Sequence, residues 1–146
     1  MIKKTFKFKV FATMINKTDL FTTATQAMNR AYAPYSKFFV GASILSESNK
    51  IYTGCNVENI SYPCGTCAEQ SAISAMISGG DRIIKEILII NNSLELITPC
   101  GACRQRIAEF SNSDTIVHLA NTNGIQKSIL ISELLPLAFN NKELKQ

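Results

Sequence analysis

The 146-residue chain lacks an apolar run near the ~18 residues that span a membrane; its clearest is the four-residue Ile87-Leu88-Ile89-Ile90. Its basic start offers no secretory leader, because lysines interrupt the apolar residues before any apolar central region can form. The absence of both signals leads to the expectation of a cytoplasmic protein with no membrane partner. Internal repeats, linkers and low-complexity stretches are also missing. The net charge of +4 is local: Lys3, Lys4, Lys7, Lys9 and Lys17 lie in residues 1–17, which hold no acid. Residues 18–146 hold ten basic and eleven acidic residues. That body offers no basic surface for nucleic acid, and the arm over 1–17 reads as a solvated tail.

The composition that remains, 46% apolar and 18% charged, excludes disorder. A chain of this length makes one domain and buries roughly 68–70% of its unfolded surface. We divide it into an arm, 1–17, and a domain, 18–146. Asp19 is expected to cap a helix over 20–32, which Ala33-Pro34 ends. Strands are expected over 39–45 and 50–55. A loop through Tyr62 and Cys64 leads to a helix capped by Thr66 and stopped by Gly79-Gly80. A buried strand over 85–91 and a helix over 100–110 follow. Strands over 115–120 and 125–131 and a short helix over 132–139 complete the order. The fold class is therefore α/β, a three-layer α/β/α arrangement with a mixed five-stranded sheet.

Five cysteines are many for such a chain, and in a reducing compartment they favour metal or catalytic use over disulfides. Cys64/Cys67 and Cys100/Cys103 form two Cys-x-x-Cys pairs, which alone would read as a four-cysteine zinc ribbon. Their context differs from that of a ribbon, because Cys67 opens one helix while Cys100 and Cys103 open another. Free N–H groups and the positive dipole end at a helix start stabilise thiolates. Cys100 and Cys103 are three residues apart and can face one point, with Cys67 as third ligand. Three protein ligands leave zinc's fourth position open to water, which is the catalytic pattern. Glu69, in the first turn after Cys67, can sit beside that water and move its proton without being a ligand.

Cys67-Ala68-Glu69 followed by Pro99-Cys100-Gly101-Ala102-Cys103 resembles the zinc-dependent cytidine deaminase signature. Further stretches from about residue 20 to 144 resemble the free-nucleoside branch: residues 31–38, Val40-Gly41-Ala42, residues 55–59, Cys103-Arg104-Gln105 and residues 133–139. Cysteine at 67, where the dimeric branch has histidine, matches the small homotetrameric branch. The resemblance implies one Zn²⁺ per subunit, no organic cofactor, and deamination of free cytidine and deoxycytidine with loss of ammonia. It also implies that Asn56 and Glu58 bind the ribose 3′-hydroxyl and Phe38 packs on the pyrimidine. By the same resemblance the backbone near Ala68 bonds the base, and Phe139 reaches a neighbouring subunit's site. Tyr35 and Tyr62 are candidates for aromatic walls. Cys55 and Cys64 match no ligand position and read as packing thiols, and His118, in mid-strand, as a structural histidine.

Three other readings compete. A polynucleotide deaminase needs a basic groove. A deaminase of another aminonucleoside would diverge at the Asn-x-Glu pair, which is intact here. A noncatalytic zinc module would use four cysteines and be indifferent to Glu69. One departure stands out: Gln70 occupies the place of an arginine that in relatives hydrogen-bonds the thiolates. Zinc with three thiolates carries excess negative charge, so the helix starts are expected to compensate, helped by Arg104.

Overall fold

The computed structural model describes residues 16–140. Residues 1–15 of the expected arm lie outside that range, while Asn16 and Lys17 begin the first helix, α1, Lys17–Met28. The Asn16 side chain accepts hydrogen bonds from the Thr18 and Asp19 N–H groups at 2.8 and 3.1 Å. The Asp19 carboxylate accepts one back from the Asn16 N–H at 3.0 Å. This reciprocal box makes Asn16 the cap, not Asp19, so the helix starts and ends earlier than expected.

Strands β1, Val40–Ser46, and β2, Ile51–Cys55, form a hairpin. A 3-10 turn, Tyr62–Cys64, precedes α2, Ala68–Ser78, whose cap is Cys67 and not Thr66. Next come β3, Ile84–Asn91, and α3, Gly101–Glu109. The chain continues with β4, Ser111–Asn121, β5, Gly124–Leu130, and α4, Ile131–Leu134. The last helix is far shorter than the 132–139 expected. Pro136 disfavours helical backbone at Leu135, which lies at φ −140°, ψ 75°.

The sheet has the order β2-β1-β3-β4-β5. Only β3 and β4 run parallel, so the sheet is mixed as expected. β3 shows why it is central, since both of its faces are apolar. Ile87 and Ile89 pack with Ala72, Met76 and Ile107 of α2 and α3, while Leu88 and Ile90 pack with Leu20, Ala24 and Met28 of α1. Helices thus cover both faces, with α1 on one side and α2, α3 and α4 on the other.

Two glycines set how closely the helices lie. A methyl at Gly41 would meet the Ala24 carbonyl oxygen of α1 at 2.1 Å. A methyl at Gly54 would meet the Ala72 nitrogen and Ala68 oxygen of α2 at 2.3 and 2.6 Å. The far end of α2 is tied to the hairpin by buried Asp81. One of its oxygens, Oδ2, accepts from Ser46 Oγ, Ser48 Oγ and Tyr52 OH at 2.7, 2.5 and 2.9 Å. His118 is fully buried on β4, with Nε2 2.8 Å from Glu86 Oε2 and Nδ1 2.7 Å from Ser128 Oγ. It joins three strands, which is the structural role expected of it. Among the described residues no helix is long and apolar enough to cross a membrane.

Candidate active site

Cys67 and Cys100 occupy equivalent places, each the extended residue that caps a helix. Their ψ values are 155° and 163°, and neither makes a side-chain capping bond. The sulfurs are therefore not engaged by the first-turn N–H groups and remain available beside the positive ends of α2 and α3. Cys103 lies one turn into α3 and is fully buried. Because α2 packs on α3, the three Sγ atoms converge to within 4.8 Å of one another. Tetrahedral zinc with bonds of about 2.3 Å needs sulfurs about 3.8 Å apart, so small side-chain rotations complete the site.

The thiols already share charge. A hydrogen bond from Cys103 pulls the Cys67 pKa down to about 6, and the same bond, with burial, pushes the Cys103 thiol up. The hydrogen bond thus favours the thiolate at Cys67 and the thiol at Cys103, and metal binding would displace the protons that remain. Donor type, number, convergence and charge all fit zinc.

Glu69 stands in the first turn of α2 with 5% of its surface exposed. Burial pushes its pKa upward, against opposing hydrogen bonds from its own backbone N–H and from Cys103 and the positive field of Arg106. Burial thus favours the protonated carboxyl more than at an exposed glutamate. Glu69 opens, with Cys67, Ala68 and Cys100, into a cavity of about 240 Å³ that also includes Phe38 and Asn56. These expected site residues therefore meet in one place. Asn56 is half-committed to the fold: Oδ1 accepts from the Val40 N–H at 2.9 Å, and Nδ2 donates to the Phe38 carbonyl at 2.8 Å.

The remaining candidate residues lie outside that cavity. Glu58 lines a second cavity with Tyr35, Ser36 and Tyr62. There it accepts from the Tyr35 N–H at 3.0 Å, from the Ser36 N–H at 3.3 Å and from the Ser36 hydroxyl, bonds that lower its pKa. The rings of Tyr35 and Tyr62 lie 6.2 Å apart, tilted by 58°. Phe139 lines neither cavity; its side chain is exposed, and its backbone is pinned by both ends of the Gln105 amide at 2.8 and 3.1 Å. Cys64 is not a packing thiol: it is exposed, lies outside the sulfur cluster, and its Sγ is 3.5 Å from Ser61 Oγ.

Arg104 does not serve the sulfurs. Its guanidinium donates to the Pro99 carbonyl, the Leu134 carbonyl and Thr98 Oγ1 at 2.9, 3.2 and 3.0 Å. It braces the segment that leads into Cys100. The cation that acts on Cys67 and Glu69 is Arg106, which the sequence reading missed. Its spacing of three from Cys103 was the available signal, because that spacing puts two side chains on one helical face.

Comparison with known proteins agrees with this geometry. The family model for the cytidine and deoxycytidylate deaminase zinc-binding region matches residues 14–119. The cytidine deaminase of Sporosarcina psychrophila is 42% identical over 125 residues, which is 86% of this chain and 92% of that protein. The cytidine deaminase of Mycobacterium tuberculosis H37Rv is 36% identical over 121 residues, 83% of this chain and 87% of its own. The crystal structure of cytidine deaminase from Burkholderia pseudomallei superposes with a TM-score of 0.81 at 37% identity. That match covers 86% of this chain and all of the other. Through a sulfur cluster and a buried carboxylate built on two helix starts, and through these relatives, the chain belongs to the cytidine and deoxycytidylate deaminase zinc-binding family.

Proposed function

We propose that the protein deaminates free cytidine and deoxycytidine hydrolytically, giving uridine or deoxyuridine and ammonia, as an enzyme of pyrimidine salvage in the cytoplasm. The observation that carries the reading is the buried Glu69 beside three convergent sulfurs, at the wall of a cavity faced by Phe38 and Asn56. Cys67, Cys100 and Cys103 would hold a zinc ion, which would supply Lewis acidity and lower the pKa of a bound water.

The protein's own residues do the rest. Glu69 takes the water's proton and delivers it to N3 of the pyrimidine as the oxygen bonds to C4. It then takes the proton of the new C4 hydroxyl and gives it to the amino nitrogen as the C4–N bond breaks, so that the C4 carbonyl forms, ammonia leaves and the carboxylate is restored. Phe38 covers one face of the base, and the backbone at Ala68 fixes its edge. Asn56 keeps one amide N–H beyond its bond to Phe38 and can donate to the ribose 3′-hydroxyl. Glu58 stays ionised, with its pKa lowered, and in the second cavity with Tyr35 and Tyr62 it would accept from the sugar hydroxyls. Tyr62 closes the sugar side.

The exposure of Phe139, held at the end of a segment pinned by Gln105, supports a role in a neighbouring subunit of a homotetramer. Light scattering should give four chains per particle, and Phe139→Ala should raise KM without loss of zinc; an active monomer refutes the shared site. The test of the reaction is the ultraviolet absorbance of zinc-loaded protein with cytidine, deoxycytidine, cytosine and single-stranded DNA. Turnover of both nucleosides supports the proposal, and turnover confined to the polynucleotide overturns it.

A further inference from the structure

Zinc with three thiolates carries one negative charge in excess, and ionised Glu69 adds another. Such a cluster in a half-buried setting needs a fixed cation, because charges in a low-dielectric interior are felt more strongly than in water. Two arginines on α3 are near enough to be candidates. Arg104 is consumed by its three backbone and side-chain acceptors on the segments around Thr98 and Leu134.

Arg106 is placed differently. It follows Cys103 by three residues and shares its helical face. It is half-buried and lines a surface cavity together with Gln70, which follows Cys67 by three residues on α2. Each ligand-bearing helix therefore sends one long polar side chain to the same place, and only the one from α3 is charged. Among the described residues the Arg106 side chain makes no hydrogen bond or salt bridge. Its electrostatic partners are Cys67 and Glu69, and it favours negative charge on both.

From this placement we propose that Arg106 is a positioning residue for the metal: its guanidinium offsets the charge of Cys67, Cys100, Cys103 and Glu69 from outside the cluster and so sets how tightly zinc is held. The inference rests on the zinc-binding reading of the three sulfurs. A purely structural role is the alternative, since a cation in the last turn of α3 also complements the helix dipole.

Zinc affinity separates the two, measured on the whole chain by competition with a chromophoric chelator in low and in 1 M salt. Arg106→Gln should weaken zinc binding about tenfold, as loss of groups around a metal's ligands does. The urea midpoint of the zinc-free protein should stay where it is. Arg106→Lys should recover most of the affinity, because charge and not the guanidinium fork is what the site uses. The deficit of Arg106→Gln should shrink in 1 M salt, where the screening length falls to about 3 Å. Wild-type affinity in Arg106→Gln, or a loss that lysine does not restore, overturns the proposal. Failure of the wild-type chain to bind zinc at all overturns the zinc-binding reading beneath it.

Discussion

Glu69 and Asp81 are both buried acids, 5% and 8% exposed; Glu69 stands in the first turn of α2 and Asp81 just beyond its last residue, Ser78. Their chemistry is opposite too. Asp81 collects three hydroxyl donors on one oxygen, and those bonds hold its carboxyl below the usual range. Glu69 has fewer donors, and burial outweighs them, so its carboxyl is held above the usual range. The difference shows that burial alone does not assign a role to a carboxylate. Donors that outweigh desolvation make an anchor, and desolvation that outweighs donors leaves a group ready to exchange its proton. One helix is thus fastened past its end by one carboxylate and begins with another whose pKa burial raises.

Exchanging the two carboxylates for amides should break this comparison in opposite ways. Glu69→Gln has the largest expected effect, a loss of turnover of about 10²–10⁴-fold with zinc content intact, read from the absorbance assay and metal analysis. Its urea midpoint should not fall, because the substitution removes a charge that opposes folding. Asp81→Asn should do the reverse, lowering the midpoint while kcat/KM stays within a few-fold of wild type.

The pH dependence sharpens the second case. The folded-state pKa of Asp81 lies below its unfolded value, so its contribution is full above that unfolded value, about 3.9, and is lost as pH falls through the folded pKa. The gap in urea midpoint between wild type and Asp81→Asn should therefore hold from about pH 5 to 8 and close below about pH 4. A gap that persists in acid would mean that the carboxylate's charge is not what fastens the helix. Ser48→Ala should give the smallest effect. It removes one of three donors to Asp81 and should lower the midpoint by less than Asp81→Asn.

Much of this could be read in the sequence, because it depends on local chemistry. Helix starts at Cys67 and Cys100 follow from the residues themselves, and the spacing of Cys103 and Glu69 then fixes what can converge on a metal. The mixed sheet followed from an element order that the structure repeats. The misses have local and non-local causes. Asn16 and Asp19 are both good cap residues, and only the bonds between them decide which one caps. Proline at 136 was allowed inside a helix that it in fact ends. Arg104 adjoins a ligand in sequence, yet its guanidinium turns to Pro99, Thr98 and Leu134; Arg106, two positions on, acts on the site. The placing of Glu58 in a second cavity was not legible, because its bonds to Tyr35 and Ser36 depend on a chain segment more than twenty residues earlier.

Gly54 gives the site a hidden calibration. A methyl there would strike the Ala68 carbonyl oxygen and the Ala72 nitrogen, and would lift the very helix that carries Cys67 and Glu69. The height of the reactive end of α2 above the sheet is thus gauged by an empty space on β2. A genetic screen for lost activity should return position 54 alongside the metal ligands, although this residue lines neither of the two cavities at the site. For protein engineering, the hairpin is a reference surface whose tolerance at that point is less than one carbon atom.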